Sequence, residues 1–189
     1  MKRNLSGLIL LLAAAASLQA CFPLAVTGVG AAALMASDRR TPGIYIEDET
    51  IEWKAMARLR DGFKGAHVNP TSYDRRVLLT GEAPSAEVKK QAEEAIRGIS
   101  NVREVTDEIQ VAGASSFASR GNDALVTSNV KARMINNGKF SPTQVKVVTE
   151  AGVVYLMGLV TPAEADAAVE IARTTSGVSR VVKVFEYLK

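Results

Sequence analysis

Val145-Lys146-Val147-Val148-Thr149-Glu150-Ala151-Gly152-Val153-Val154-Tyr155-Leu156-Met157-Gly158 decides the fold, because the chain carries a second version of it. The earlier copy is Val68-Asn69-Pro70-Thr71-Ser72-Tyr73-Asp74-Arg75-Arg76-Val77-Leu78-Leu79-Thr80-Gly81. A shift of 77 lays Val77-Leu78-Leu79-Thr80-Gly81 on Val154-Tyr155-Leu156-Met157-Gly158. Each copy reads as two strands joined by a tight turn and closed by a glycine. Each is preceded by a helix and followed by a helix and a third strand. A repeat of this size predicts two copies of one small domain.

Working outward, Thr50 is the expected cap of a first helix reaching Phe63, with Ile51, Ala55 and Leu59 as its apolar stripe. Trp53 points away from that stripe. Pro70 removes a ladder donor, which predicts an edge strand. Ser85 opens the next helix, with Val88, Ala92, Ala95, Ile96 and Ile99 inward, and Asn101 ends it. Val102 to Val111 is the third strand. The second copy repeats the plan, with a helix over Asn122 to Asn137 and the stripe Val126, Val130 and Met134. Thr161-Pro162-Ala163-Glu164 is a capping box with proline in the first helical position. Gly177 stands where the first copy has Asn101, and both tolerate a left-handed conformation. The expected division is 49–111 for the first domain, 112–120 for a linker and 121–189 for the second domain.

The N-terminus carries its own signal. Met1-Lys2-Arg3-Asn4 is a short basic segment, and Leu8 to Ala16 is apolar but too short for a membrane span. Leu18-Gln19-Ala20-Cys21 follows and resembles the lipobox of bacterial lipoproteins. That resemblance implies cleavage of the 1–20 leader and acylation of Cys21. Cys21 is the single cysteine, so an intramolecular disulfide is excluded. Phe22 to Ala36 reads as an apolar tether and Ser37 to Gly43 as a polar linker, so 21–48 is expected to join anchor to domain. Phe22, where an inner-membrane retention signal would have Asp, favours the outer membrane.

The order helix–strand–strand–helix–strand, with Val154-Tyr155-Leu156-Met157-Gly158, then Ala168 to Ala172, then Gly177-Val178-Ser179-Arg180-Val181, resembles the BON domain. With lipobox and tether, the chain is similar to the dual-BON outer-membrane lipoproteins of Gram-negative bacteria. The resemblance implies an α+β fold with two tandem BON domains, each αββαβ. Its three-stranded mixed sheet would be covered by two helices on one face. It also implies a non-catalytic, periplasm-facing protein that binds anionic phospholipid such as phosphatidylglycerol, mainly through the second domain, and supports envelope integrity and cell division. A scaffold that binds outer-membrane assembly proteins, touching lipid only through Cys21, is the alternative.

The residues carry a candidate lipid site. Without its leader the chain has 21 basic and 20 acidic residues, so net charge gives no reason to expect nucleic acid. Residues 51–111 balance at 10 basic and 10 acidic, whereas 120–189 carry 9 and 6. On the second domain's first helix, Leu125 and Ile135 each fall about 140° from the core stripe. The expectation is that Leu125 and Ile135 enter lipid while Lys131, Arg133 and Lys139 meet phosphates. Val153, Tyr155 and Met157 face away from the helices, and an open apolar sheet face is unusual in a monomer. The first domain is expected to cover it, with Trp53 as a plug; a homo-oligomer or another partner is the alternative.

Catalytic readings lack parts. His67 is the single histidine and is expected at the surface; Cys21 is consumed by acylation, so no Cys/His nucleophile or metal cluster is foreseen. Neighbouring carboxylates in Glu93-Glu94 and Asp107-Glu108 diverge. Gly28-Val29-Gly30 follows no strand and is not a nucleotide fingerprint. No cofactor is expected.

Overall fold

The first helix is capped nine residues before the expected Thr50, at the same Thr-Pro signal that opens the last one. A computed structural model describes residues 37–188. The leader, Cys21 and the apolar tether lie outside the described residues. Helix α1 spans Pro42–Gly62; Thr41 caps it by accepting from the Ile44 N–H, and Pro42 takes the first position. Thr50 is inside the helix, its hydroxyl donating to Ile46 O at 2.9 Å. Strands β1 (His67–Tyr73) and β2 (Arg76–Ala83) pair antiparallel. Helix α2 (Ala86–Arg97) follows, capped by Ser85. The third strand is broken into β3 (Glu104–Asp107) and β4 (Gln110–Val111), both parallel to β2. The break has a local cause. Asp107 Oδ1 accepts from Ile109 N, and Lys89 Nζ donates to Ile109 O, so side chains take ladder groups there.

In the second repeat α3 spans Phe117–Ile135, capped by Ser116, so the expected linker gives its last residues to this helix. A 3₁₀ turn (Pro142–Gln144) leads into β5 (Val145–Glu150) and β6 (Val153–Val160), which pair antiparallel. Helix α4 (Pro162–Arg173) carries the Thr161/Glu164 capping box. Strand β7 (Arg180–Tyr187) runs unbroken and parallel to β6. Asn101 (φ 70°) and Gly177 (φ 88°) are left-handed, as foreseen, but each stands in the turn beyond its helix.

Each sheet buries one face under its own two helices. Ile51, Ala55 and Leu59 meet Val77, Leu79, Ala92 and Ile96 in the first repeat. Val126, Val130 and Met134 meet Val154, Leu156, Ala168 and Ala172 in the second. The closing glycines are explained by backbone approach. A Cβ on Gly81 would stand 2.0 Å from His67 O, and one on Gly158 would stand 2.3 Å from Gln144 O.

The other faces of the two sheets pack on one another. Tyr73 and Leu78 of the first meet Tyr155, Met157 and Val184 of the second. Full burial of each such large side chain is worth roughly 1.5–3 kcal/mol. Polar ties cross the same seam. Lys146 Nζ reaches Glu52 at 2.7 Å and donates to Ser72 O, and Asn69 Nδ2 donates to Glu150 at 3.0 Å.

Ser37 to Arg40, expected as a linker, is an interlock. Arg39 grips Glu164 of α4 through two hydrogen bonds of 2.7 and 2.8 Å and donates to Leu159 O. Arg40 lies between Asp38 and Asp48, its guanidinium 4.0 Å from the Tyr73 ring centre. Burial opposes the Arg40 charge, yet its hydrogen bonds to Asp38 and Asp48 outweigh that and raise its pKa.

Candidate lipid-facing site

Helix α3 has one face in the core and the other in solvent. Asp123, Val126, Val130 and Met134 are its buried residues. On the outer side Phe117, Leu125 and Ile135 are 86, 65 and 66% exposed. Phe117 and Ile135 are 18 residues apart, which is five full turns, so they share one line about 27 Å long. Leu125 stands about 80° round from that line. Ala124, Ser128 and Ala132, all exposed, fill the space between with small groups. The helix therefore presents a long uncharged strip. Sequence reasoning found Leu125 and Ile135 and missed Phe117, which was assigned to the linker.

The flanking cations separate into free and committed ones. Lys131 is exposed; partial desolvation, then Lys146, lower its pKa from the ordinary lysine value. Lys139 is exposed in the loop leaving α3, its backbone N–H held by Asn137 Oδ1 at 2.7 Å. Arg133, expected to meet phosphate, is committed elsewhere. It donates to Ile171 O at 2.8 Å, Thr175 Oγ1 at 2.7 Å and Thr174 Oγ1 at 3.0 Å. It satisfies the carbonyl end of α4, where a cation is favoured by the helix dipole. Arg120, which sequence reasoning did not single out, places its guanidinium 4.5 Å from the Phe117 ring centre.

The structure also places the other expected interface residues. Tyr155 and Met157 are 2 and 1% exposed, and Val153 is half-buried beside them. Burial first, then Glu108, push the Tyr155 phenol up to about 12. Trp53 is not the plug: it is 67% exposed on the outer side of α1, and Leu78 and Tyr73 fill that role. Ile46 (64%) and Met56 (47%) are exposed with Trp53, so α1 carries an apolar strip of its own. The two strips lie on opposite outer sides, because each helix pair covers the far face of its sheet.

Potential reacting groups are mostly engaged in pairs. Glu93 binds Arg97, Glu94 faces Lys90 at 3.7 Å, and Asp107 faces Lys89 at 3.5 Å. His67 is not at the open surface. Its Nδ1 lies 3.1 Å from Glu82 Oε2 and its side chain is 22% exposed. Among the described residues, His67, Glu82 and Glu150 are the group whose ligand atoms could converge on a metal, all lying within 4.8 Å of one another. Among the same residues, no helix is long and apolar enough to cross a membrane.

Comparison with known proteins gives a consistent family. The BON domain model matches residues 47–113 and again 122–189. The outer membrane lipoprotein DolP of Haemophilus influenzae is 40% identical over 187 residues, 97% of each chain. The 21 kDa hemolysin of Actinobacillus pleuropneumoniae is 33% identical over 80% of each chain. The osmotically-inducible protein Y of Escherichia coli is 30% identical, with 74% of this chain and 72% of that one covered.

Proposed function

This chain belongs to the BON-domain family, as a dual-BON lipoprotein of the DolP type, and from that premise we propose that it binds anionic phospholipid through the outer face of α3. In this reading Cys21 anchors the protein to the outer membrane and the two repeats face the periplasm. The protein acts as a monomeric binding module that supports envelope integrity, and catalyses nothing. The observation that carries the reading is the uncharged strip of Phe117, Leu125 and Ile135, with Lys131, Lys139 and Arg120 as nearby cations. Aromatic and aliphatic side chains enter the boundary between headgroups and acyl chains, while each lysine near an anionic surface adds about 1 kcal/mol.

The test is a vesicle-binding assay on residues 37–189, a fragment that keeps Arg39, Arg40 and all of α1. Binding to phosphatidylglycerol vesicles should exceed binding to phosphatidylcholine vesicles and weaken with salt. Leu125→Glu should reduce it at least tenfold; Arg133→Gln should act on stability and leave lipid affinity nearly unchanged. Equal binding by wild type and Leu125→Glu would remove α3 as the site.

The strip of Ile46, Trp53 and Met56 favours a second reading. With α3 on a flat bilayer, α1 points away from it, free for an outer-membrane assembly protein. Retained vesicle binding by Trp53→Ala, with loss of a co-purifying envelope protein, would support that role.

A further inference from the structure

The seam between the two sheets has an apolar centre, and one of its corners gathers a histidine with carboxylates. Strand alternation determines which side chains meet there. On β1, Val68 joins the first core while His67, Asn69 and Tyr73 face the second repeat; on β2, Leu78 and Glu82 do the same. On β5, Val145 and Val147 enter the second core while Lys146 and Glu150 face the first repeat. The result is a histidine and two carboxylates from different repeats, with Glu82 and Glu150 only 6 and 8% exposed.

Burying two carboxylates together is costly unless positive charge compensates them. The donors that hold them are mostly neutral. Ser115 N donates to Glu82 at 3.2 Å, and Asn69 Nδ2 donates to Glu150. A cavity of about 560 Å³ opens beside His67 and Glu150, lined also by Arg120 and Asp123. Asp123 is a third negative charge, already committed to the N–H groups of Ala151 and Gly152. Among the described residues, Arg120 is the one lysine or arginine on the cavity wall, and its Nε is buried without a hydrogen-bond partner. The corner thus collects more negative than positive charge. Burial first, with Glu82 and Asp123 adding to it, raises the Glu150 pKa above the usual carboxylate value.

We propose that His67, Glu82 and Glu150 form a site for a first-row divalent cation, with Zn²⁺ as its readiest occupant, which ties the two repeats together. One imidazole nitrogen and two carboxylate oxygens suit such an ion, and three protein ligands leave a fourth position to water. Bonds of about 2.0–2.2 Å place tetrahedral ligand atoms roughly 3.3–3.5 Å apart. The His67 Nδ1–Glu82 Oε2 separation of 3.1 Å is already close to this. The full group, spread within 4.8 Å, closes with a movement of about 1–1.5 Å at Glu150, along the open cavity. Asn69 and Ser115 then orient the ligand carboxylates from outside. Ions that favour all-oxygen shells, such as Mg²⁺, fit the donor set poorly.

The experiment uses the full chain in detergent, tag-free and carrying Cys21→Ser so that no thiol competes. Zn²⁺ titration should show one strong site per chain, absent with Mg²⁺. At free Zn²⁺ one hundred times its Kd, mass action should raise Tm by roughly 5–10 °C. His67→Gln and Glu150→Gln should each weaken Zn²⁺ at least tenfold. If either variant folds poorly, the parent chain with Cys21→Ser decides the matter alone. It has a single histidine, so one set of imidazole proton resonances reports the site. Those resonances should shift on adding Zn²⁺ and not on adding Mg²⁺. Imidazole resonances unmoved by Zn²⁺, or Zn²⁺ affinity unchanged in His67→Gln, would overturn the site.

Discussion

The two repeats close their hairpins with the same device but hold it with different strength. In the first, the turn is Asp74-Arg75, both left-handed at φ 50° and 63° without a glycine. In the second it is Ala151-Gly152, at φ 49° and 74°. Two-residue turns of this hand match strand twist but suit asparagine, aspartate or glycine first and glycine second, so Arg75 and Ala151 are the misfits. Each is therefore pinned from the preceding helix by one buried aspartate. Asp48 accepts from Asp74 N at 2.9 Å, Arg75 N at 2.7 Å and Ser72 Oγ at 2.6 Å, and pairs with Arg40 at 2.8 Å. Asp123 accepts from Ala151 N at 3.0 Å and Gly152 N at 2.9 Å. The repeat whose turn has no glycine has the denser anchor. A turn sequence poor on local grounds survives where tertiary contacts overdetermine it.

The sharpest way to break this comparison is to remove each aspartate in turn. Asp48→Ala leaves Arg40 buried beside Asp38 alone and strips a strained turn of two acceptor contacts and the neighbouring Ser72 of a third. It should cost about 4 kcal/mol, in the range for breaking a buried ion pair. Asp123→Ala removes two charge-assisted hydrogen bonds from a turn that already has its glycine, and should cost about 2 kcal/mol. Urea midpoints of the two variants measure the difference. A larger loss from Asp123→Ala would mean that turn strain does not set the demand on the anchor.

A second, smaller effect asks whether the repeats fold as one unit. Arg39 joins the irregular segment before α1 to Glu164 in α4. The Arg39 hydrogen bond, followed by the cap donors at Thr161, holds the Glu164 pKa down at about 2, although partial burial works the other way. A carboxylate whose folded pKa lies below its unfolded value contributes stability above the unfolded value and loses it as pH falls through the folded one. Arg39→Ala should therefore cost roughly 2 kcal/mol at pH 7. That difference from wild type should shrink between about pH 4.5 and 2, in thermal melts across that range. A variant that splits the melt into two transitions would show that the tie, more than the apolar seam, joins the repeats.

Much of this architecture is legible from local pattern. The repeated Val-x-Leu-x-Gly strand, the Thr161/Glu164 box and the outward Val153, Tyr155 and Met157 are all readable from spacing. What is not readable depends on partners far along the chain. Asp48 and Asp123 look like ordinary helix acids, because the turns they hold begin 26 and 28 residues later. Thr41-Pro42 carries the same start signal as Thr161-Pro162. The turns that follow lack a clear apolar stripe, since their buried position is Asp48, so periodicity alone starts the helix at Thr50. In the candidate lipid site, helical angle identified Leu125 and Ile135. It assigned Arg133 to the membrane because the contacts with Ile171, Thr174 and Thr175 join residues about 40 positions apart. His67 misled for the same reason: its surroundings come from β2 and from the other repeat.

The smallest effect tests the shared seam at one equivalent position. Thr80 in the first repeat corresponds to Met157 in the second by the shift of 77. Both face the seam, 0 and 1% exposed. Met157 fills it with apolar volume, whereas the Thr80 hydroxyl is buried with no hydrogen-bond partner among the described residues. A buried hydroxyl without a partner loses its hydration and gains nothing in return. Thr80→Val keeps the branched shape and β preference while removing that loss, so it should raise stability by about 1 kcal/mol. A paired urea melt of wild type and variant resolves a change of that size. If Thr80→Val is instead destabilising, the hydroxyl has a bound water as its partner. The seam would then be wet at this position, and the two repeats would differ in hydration where they now differ only in residue type.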